Sequence, residues 1–260
     1  MSAKLTILGS GSSGNCAYIE TDEVRVLVDA GFSPRQIRQR LATIGRTPES
    51  LTAIFVTHEH SDHIRGLGGI GEKLGIPVYC NRATKDEIWR LLNLRLDVRV
   101  FSTGDTVEVG DISVETFPVP HDAQDPVGFL LRTHGGSIAF VTDLGHVTAL
   151  ILQRIHPANV LVLEANHDVK MLQQCVTRPW SLKQRILSRH GHLSNEAAAE
   201  CATAVMSDHL RHLYLGHLSR ECNKPELAFA VVNNRLQEIG ATHVKLELTS
   251  QNTPCPTVSL

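Results

Sequence analysis

The side chains best suited to chemistry lie in Thr57-His58-Glu59-His60-Ser61-Asp62-His63, where four metal-ligand types fall within six residues. Imidazole nitrogens and carboxylate oxygens are ligands that zinc, manganese and iron accept. In an extended stretch, residues two apart point to the same side. His58 and His60 can therefore share one ion, whereas the adjacent Asp62 and His63 diverge and suit a second. The bland alternative is a polar surface loop with incidental histidines, and the ordered spacing His-x-His-x-Asp-His argues against it. One four-coordinate zinc filled by this loop alone would be a closed, structural site. Further ligands elsewhere would point instead to two ions with open positions. The chain offers them, each after an apolar run: His121 after 114–119, Asp143 after 138–141 and His217 after 213–215. Taken singly, each is also explained as a turn aspartate or a surface histidine. Asp29 closes the run 26–28 and is either a turn residue or a carboxylate that orients the ligand loop.

Such side chains converge only if a scaffold delivers them. Short β-branched runs predict strands at 5–8, 17–20, 25–28, 53–56, 77–80, 98–101, 106–109, 112–117, 128–132, 137–141, 160–164, 212–215 and 243–246. Helical patterns fall at 34–44, 64–74, 85–94, 147–155, 181–188, 195–206 and 225–239. Ser33 before Pro34 is a helix-start signal, while the glycines at 66, 68, 69 and 71 weaken the helix over 64–74. Mixed strand–helix order in two successive halves suggests two sheets packed face to face with helices outside, folding as one domain over 1–260. The predicted ligands then sit where buried strands give way to loops.

Composition narrows the function. Apolar residues are 42% and charged residues 20% of the 260-residue chain, as in a globular protein with a full core. A net charge of -2 excludes a polycation, so any nucleic-acid contact must come from a local patch. Residues 170–192 offer one, with Lys170, Arg178, Lys183, Arg185, Arg189 and His190 around Trp180, although a solvated helix face explains these equally well. The six cysteines form no CxxC pair and suit a reducing cytoplasm. No signal-peptide pattern opens the chain and no run of about 18 apolar residues occurs, so neither export nor membrane insertion is expected.

At Asp29, the cluster 58–63, His121, Asp143 and His217, the sequence resembles the metallo-β-lactamase superfamily. The resemblance implies an α/β fold, an αββα sandwich of two mixed β-sheets flanked by helices. It also implies roles: His58, His60 and His121 for a first ion, Asp62, His63 and His217 for a second, and Asp143 bridging. Gly9-Ser10-Gly11-Ser12-Ser13-Gly14-Asn15, Leu163-Glu164-Ala165-Asn166-His167-Asp168, Gly191-His192-Leu193-Ser194-Asn195 and His217-Leu218-Ser219 look like the YycJ/WalJ branch, which is associated with 5′-to-3′ exonuclease activity on DNA. The segments at 163–168 and 191–195 are also similar to the HEAT and HST motifs of the tRNA 3′-processing endonuclease. In that enzyme a glutamate and a histidine relay a proton; the matching residues are Glu164 and His192. A long tRNA-clamping arm is not evident.

The expected activity is hydrolysis dependent on two divalent ions, zinc or manganese with iron as an alternative, acting on a phosphodiester in a single strand or duplex end. Glu164, His192 and Asp62 are the candidate catalytic groups; Ser12, Ser13, Asn15, Asn166 and Asn195 are the candidate substrate contacts. Gly9–Asn15 could cradle a phosphate, but it lacks a P-loop ending, and a tight strand-to-strand turn needs the same glycines. Thioester or lactam hydrolysis, RNA processing, and a metal-bearing interaction module are the competing readings.

Overall fold

The computed structural model describes residues 3–260, which form two compact units. The first draws on the chain up to Pro118, on Ala123–Gly136 and on Ser250–Leu260; the second on Val119–Asp122 and Ser137–Thr249.

The first unit is built on β1 (Lys4–Gly9), β2 (Cys16–Glu20), β3 (Arg25–Val28), β4 (Ala53–Phe55), β5 (Val78–Asn81) and β6 (Val98–Phe101), hydrogen-bonded in that order. β1 to β3 run antiparallel, and β3 to β6 run parallel. Val258–Ser259, a strand that sequence patterning misses because it is so short, pairs antiparallel with β1. β7 (Thr106–Val109), β8 (Ile112–Pro118) and β9 (Val127–Thr133) form an antiparallel meander. Helix α1 (Pro34–Ala42) starts as expected. The Ser33 hydroxyl accepts from the Gln36 amide, and the Gln36 side chain accepts from the Ser33 amide, which closes a capping box. A buried cluster that includes Leu8, Leu27, Ile54, Ile37, Leu41 and Ile88 packs the strands to α1 and to a later helix, Arg82–Leu92.

The expected helix over 64–74 is not continuous. A single turn, α2 (Ser61–Ile64), is followed by a π-helical turn at Gly68–Glu72. The break is the turn at 65–66, where a Cβ on Gly66 would lie 2.7 Å from Phe32 O and 2.9 Å from Ala30 O; beyond it 67–74 is helical. The helix expected over 85–94 starts earlier, giving α3 (Arg82–Leu92) under an Asn81 cap.

The second unit holds four parallel strands, β10 (Gly136–Val141), β11 (Val160–Glu164), β12 (His212–Gly216) and β13 (Lys245–Leu248). The first three are nearly continuous apolar runs with buried interiors, as strands covered on both faces must be. Helices α4 (Ala149–Ile155), α5 (Val169–Gln174), α6 (Trp180–Ile186), α7 (Asn195–Ala204) and α8 (Pro225–Glu238) complete it. The α5 turn is absent from the expectation although Asp168 caps it, accepting from Met171 N at 2.7 Å. The last strand lies two residues later than the expected 243–246. Among the described residues no helix is long and apolar enough to cross a membrane.

Candidate metal centre

In the first unit, β3 and β4 are parallel neighbours with Val28 opposite Phe55, so Asp29 and Thr57 leave the sheet side by side. The Asp29 carboxylate accepts from Thr57 N at 2.9 Å, from Thr57 Oγ1 at 3.0 Å and from His63 Nδ1 at 2.8 Å. Spending the Nδ1 proton on Asp29 fixes the His63 tautomer and leaves Nε2 as a lone-pair donor, the arrangement a ligating histidine needs. Thr57 Oγ1 also lies 3.0 Å from His58 Nδ1. The rings gather: His58 and His60 centroids are 4.6 Å apart, His58 and His63 4.1 Å, and Asp62 Oδ2 is 3.6 Å from His63 Nε2. Glu59 alternates away, as period two requires, and accepts from Gln124 N at 2.8 Å.

Backbone contacts clamp this loop. Asn15 N donates to Asp62 O at 2.8 Å, and Ala30 N donates to His63 O at 2.8 Å. Gly31 permits the approach, because a Cβ there would sit 1.5 Å from Asp62 O. The turn at 9–15 is largely occupied by its own bonds. Asn15 Oδ1 accepts from Ser10 Oγ and Gly11 N, both at 2.9 Å, and Ser13 N donates to Gln251 Oε1 at 2.8 Å. Asn15 Nδ2 lies 3.3 Å from Asp62 Oδ2 and 3.1 Å from His63 Nε2. Of the other expected substrate contacts here, Ser12 is exposed and Ser13 half-buried.

In the second unit, the carboxyl ends of three adjacent parallel strands supply Asp143, Glu164 and His217. Asp143 and His217 adopt left-handed backbone, φ 59° and 54°, as Asp29 does at 61°. A side chain in that region costs on the order of 1 kcal/mol, and such positions cluster at functional sites. Glu164 is fully buried and its carboxylate accepts four hydrogen bonds. Oε1 takes His192 Nδ1 at 2.8 Å and His217 Nδ1 at 2.7 Å; Oε2 takes Leu193 N at 2.9 Å and Leu144 N at 3.2 Å. Burial alone would raise its pKa, but the charges and hydrogen bonds of His192 and His217 outweigh burial and hold the group ionised. Burial works against a charge on His192, while the Glu164 charge and hydrogen bond push its pKa up.

Asp143 Oδ1 stands 3.3 Å from His217 Nδ1, 3.8 Å from His192 Nδ1 and 3.9 Å from His121 Nε2. His121 donates Nδ1–H to Gly191 O at 3.0 Å, again leaving Nε2 for another partner. Burial lowers the His121 pKa, with Asp143 opposing, so it stays a neutral ligand-type imidazole. Asp143, Glu164, His192 and His217 offer donor atoms within 4.8 Å of one another. Because the Glu164 oxygens are saturated by four donors, Asp143 and His217 are the ligand-type groups in that set, and Glu164 positions the His217 ring. His63, His121 and His217 share one design, in which Nδ1–H is anchored and Nε2 keeps its lone pair, and the donor chemistry therefore fits divalent ions.

Behind these groups, Asn166 Nδ2 donates to His217 O at 2.9 Å, and buried Asn195 exchanges amide hydrogen bonds with Asn223 at 3.0 and 2.8 Å. Both asparagines thus hold the scaffold. Sequence reading missed the Thr57 hydroxyl, Asn223 and His167. His167 is buried, its Nδ1 has no hydrogen-bond partner among the described residues, and burial pushes its pKa down to about 4. Thr57, adjacent to His58 at a strand end, carried a readable signal; the amides of Leu144 and Leu193 carried none.

Residues 24–218 match the β-lactamase superfamily domain. The chain is 41% identical to exodeoxyribonuclease YycJ of Bacillus anthracis, over 92% of this chain and 91% of that protein. It is 42% identical to exodeoxyribonuclease WalJ of Streptococcus pneumoniae, over 90% of this chain and 88% of that protein. The crystal structure of the metallo-β-lactamase fold protein YhfI from Bacillus subtilis aligns over 100% of both chains, with a TM-score of 0.74 at 15% identity. The fold is accordingly the one expected, two mixed β-sheets with flanking helices.

Proposed function

Since this chain belongs to the metallo-β-lactamase superfamily, we propose that it is a divalent-metal-dependent nuclease that degrades DNA from a 5′ end. The observation that carries this reading is the double grip of Glu164 on His192 and His217, which ties a proton donor to a ligand-type imidazole. Relatives named as exodeoxyribonucleases, similar along most of their length, support the choice of DNA.

In the first unit His58, His60, Asp62 and His63 would serve as ligands to divalent ions, and in the second His121, Asp143 and His217 would do so. Zinc or manganese fits this mixture of imidazole and carboxylate, with iron as the third choice. Bound ions supply Lewis acidity toward a phosphoryl oxygen and toward the attacking water. The chain supplies the rest. A departing alkoxide leaves slowly unless it is protonated, and a positioned acid is worth about 10²–10⁴ in rate. His192 holds that proton on Nε2 and releases it as the P–O bond breaks. Glu164 keeps Nδ1 anchored, so the ring faces the leaving oxygen and its cation is stabilised. Asp62, a ligand through one oxygen, is the candidate to orient the attacking water through the other. Ser12 and Ser13 meet the substrate directly; Asn15, Asn166 and Asn195 act by holding the frame in which it binds. The enzyme works in the cytoplasm, in keeping with six cysteines of which none forms a disulfide among the described residues.

The test is digestion of 5′-labelled single- and double-stranded DNA and RNA with added Mn²⁺ or Zn²⁺, beside bis-p-nitrophenyl phosphate, a thioester and nitrocefin. Expected are release of the 5′ label from DNA with the terminal nucleotide, without a ladder of shortened labelled strands, and turnover of the phosphodiester. Thioester or nitrocefin hydrolysis with intact nucleic acid would replace this reading with a carbon-ester hydrolase.

A further inference from the structure

Between Asp168 and Glu196 the chain contains no acidic residue, yet it carries Lys170, Arg178, Lys183, Arg185 and Arg189. In a molecule of net charge -2 this is a concentrated departure from the mean. Most of it forms a small subassembly. Helices α5 and α6 close over Leu172, Ile186 and Cys222, with Cys175 and Leu182 packed alongside. Lys183 is buried and spends its ammonium on Gln173 O at 2.7 Å, so it braces the two helices and is not a surface charge. Outside this core the segment exposes Trp180 at 61% and Val176 at 96% of their surfaces. An indole so exposed beside cations is an expense that folding does not explain.

The subassembly is also rigidly joined to the proton donor. His192 N donates to Ile186 O at 3.0 Å, and a Cβ on Gly191 would lie 2.1 Å from that same oxygen, so α6 leads into His192 without slack. On its other flank Arg185 pairs with Asp122, next to His121. Arg189 is locked to the loop after Asp143: its Nη2 is 3.1 Å from His146 Nε2, while His146 Nδ1 lies 3.0 Å from Arg189 O. Exposed Lys170 pairs with no carboxylate among the described residues, and Arg178 pairs with Glu221 at 2.9 Å.

We propose that the α5–α6 surface binds the single-stranded part of the nucleic-acid substrate next to the scissile phosphodiester, with Trp180 stacking an unpaired base and Lys170, Arg178 and Arg189 meeting phosphates. The proposal rests on the nuclease reading above. Charge complementarity selects a polyanion, and the exposed indole selects one whose bases are unstacked and reachable; a duplex hides its base faces. A sequence-tolerant platform of this kind also suits an exonuclease, which must accept each base in turn.

The experiment measures KM and kcat of the manganese-loaded enzyme on a single-stranded DNA, a blunt duplex of the same sequence and bis-p-nitrophenyl phosphate, for wild type, Trp180→Ala, Trp180→Phe and Lys170→Gln. Stacking on an aromatic ring predicts a rise in KM for the single strand of about five- to a hundredfold in Trp180→Ala, with kcat held within about twofold and most of the loss recovered in Trp180→Phe. Lys170→Gln should flatten the dependence of log KM on log salt by about 0.7. Unchanged KM in Trp180→Ala overturns the proposal, as does an equal or larger rise on the blunt duplex. Wild type that dimerises through this face, with Trp180→Ala monomeric and its KM unchanged, also overturns it and makes the patch a subunit contact. Wild type that turns over bis-p-nitrophenyl phosphate but no nucleic acid is a different failure, that of the nuclease reading itself.

Discussion

The loop 58–63 and the cluster Asp143, Glu164, His192 and His217 carry similar side chains assembled by opposite means. In the loop, the ligand types are neighbours in sequence, and backbone bonds from Asn15 and Ala30 press them into place. In the cluster, strand ends separated by whole βα units deliver Asp143, Glu164 and His217, the segment between α6 and α7 delivers His192, and one buried carboxylate gathers the imidazoles. Asp29 holds one histidine ring beneath the loop, whereas Glu164 holds two rings in the cluster. The difference teaches that a contiguous ligand loop needs support against bending, while a dispersed one needs a shared acceptor that sets tautomers and distances together.

The largest effects should come from the ligands themselves, in both regions alike. His60→Ala and His217→Ala should each reduce cleavage by about 10³-fold or more, the scale of losing several kcal/mol of charge stabilisation. Metal analysis of the purified variants should show a deficit in each. If either variant kept full metal and rate, its region would not be part of a ligand set, and the likeness between the two would end there. His192→Ala splits the cluster by role. Its rate should fall by about 10²–10⁴ while metal content persists. An unchanged rate would remove the proton relay and leave His192 as a structural neighbour of Asp143.

How far these roles could be read beforehand follows the same division. The loop was legible because its spacing repeats the period of an extended chain. β-Branched runs ending in Asp29, Asp143 and His217 were legible as strand ends, which made the layered α/β architecture readable too. Periodicity could not foresee the break at 65–66 in the expected helix at 64–74, because it depends on Gly66 lying against the backbone of Ala30 and Phe32. Nor could it reveal that Asn195 is fully buried against Asn223, since an asparagine after a helix cap looks like any exposed polar residue. Glu164 and His192 were marked only by resemblance. Their bond spans 28 residues, and nothing in local spacing announces it.

Replacing the two supporting carboxylates compares the regions more finely. Asp29→Ala leaves His58, His60 and Asp62 in place and frees one ring, so metal affinity should weaken by about 10–100-fold, the usual range for losing a carboxylate behind a ligating histidine. Glu164→Ala frees both a ligand-type ring and the proton donor, so it should lose affinity by a similar factor and rate at saturating metal as well. Titration with a chelating dye, followed by rate measurement at saturating metal, separates the two outcomes. Full recovery of Glu164→Ala by added metal would reduce Glu164 to the same single function as Asp29.

The smallest effect tests what the regions share. Asp29, Asp143 and His217 hold φ of 61°, 59° and 54°, conformations that every residue but glycine adopts at a cost. Elsewhere in strands and helices, glycine is the less stable choice than alanine by roughly 0.5–1 kcal/mol. At these three strand ends the order should invert. Both substitutions remove the functional group, so Asp143→Gly and Asp143→Ala differ mainly in backbone strain, and glycine should be the more stable by about 1 kcal/mol. Urea unfolding of the metal-free variants reads this difference directly, and the same inversion should appear in the pairs at 29 and 217. Alanine equal to glycine at any of them would mean that its left-handed turn is relaxed, and that the position is held there by packing and not by the demand of the site.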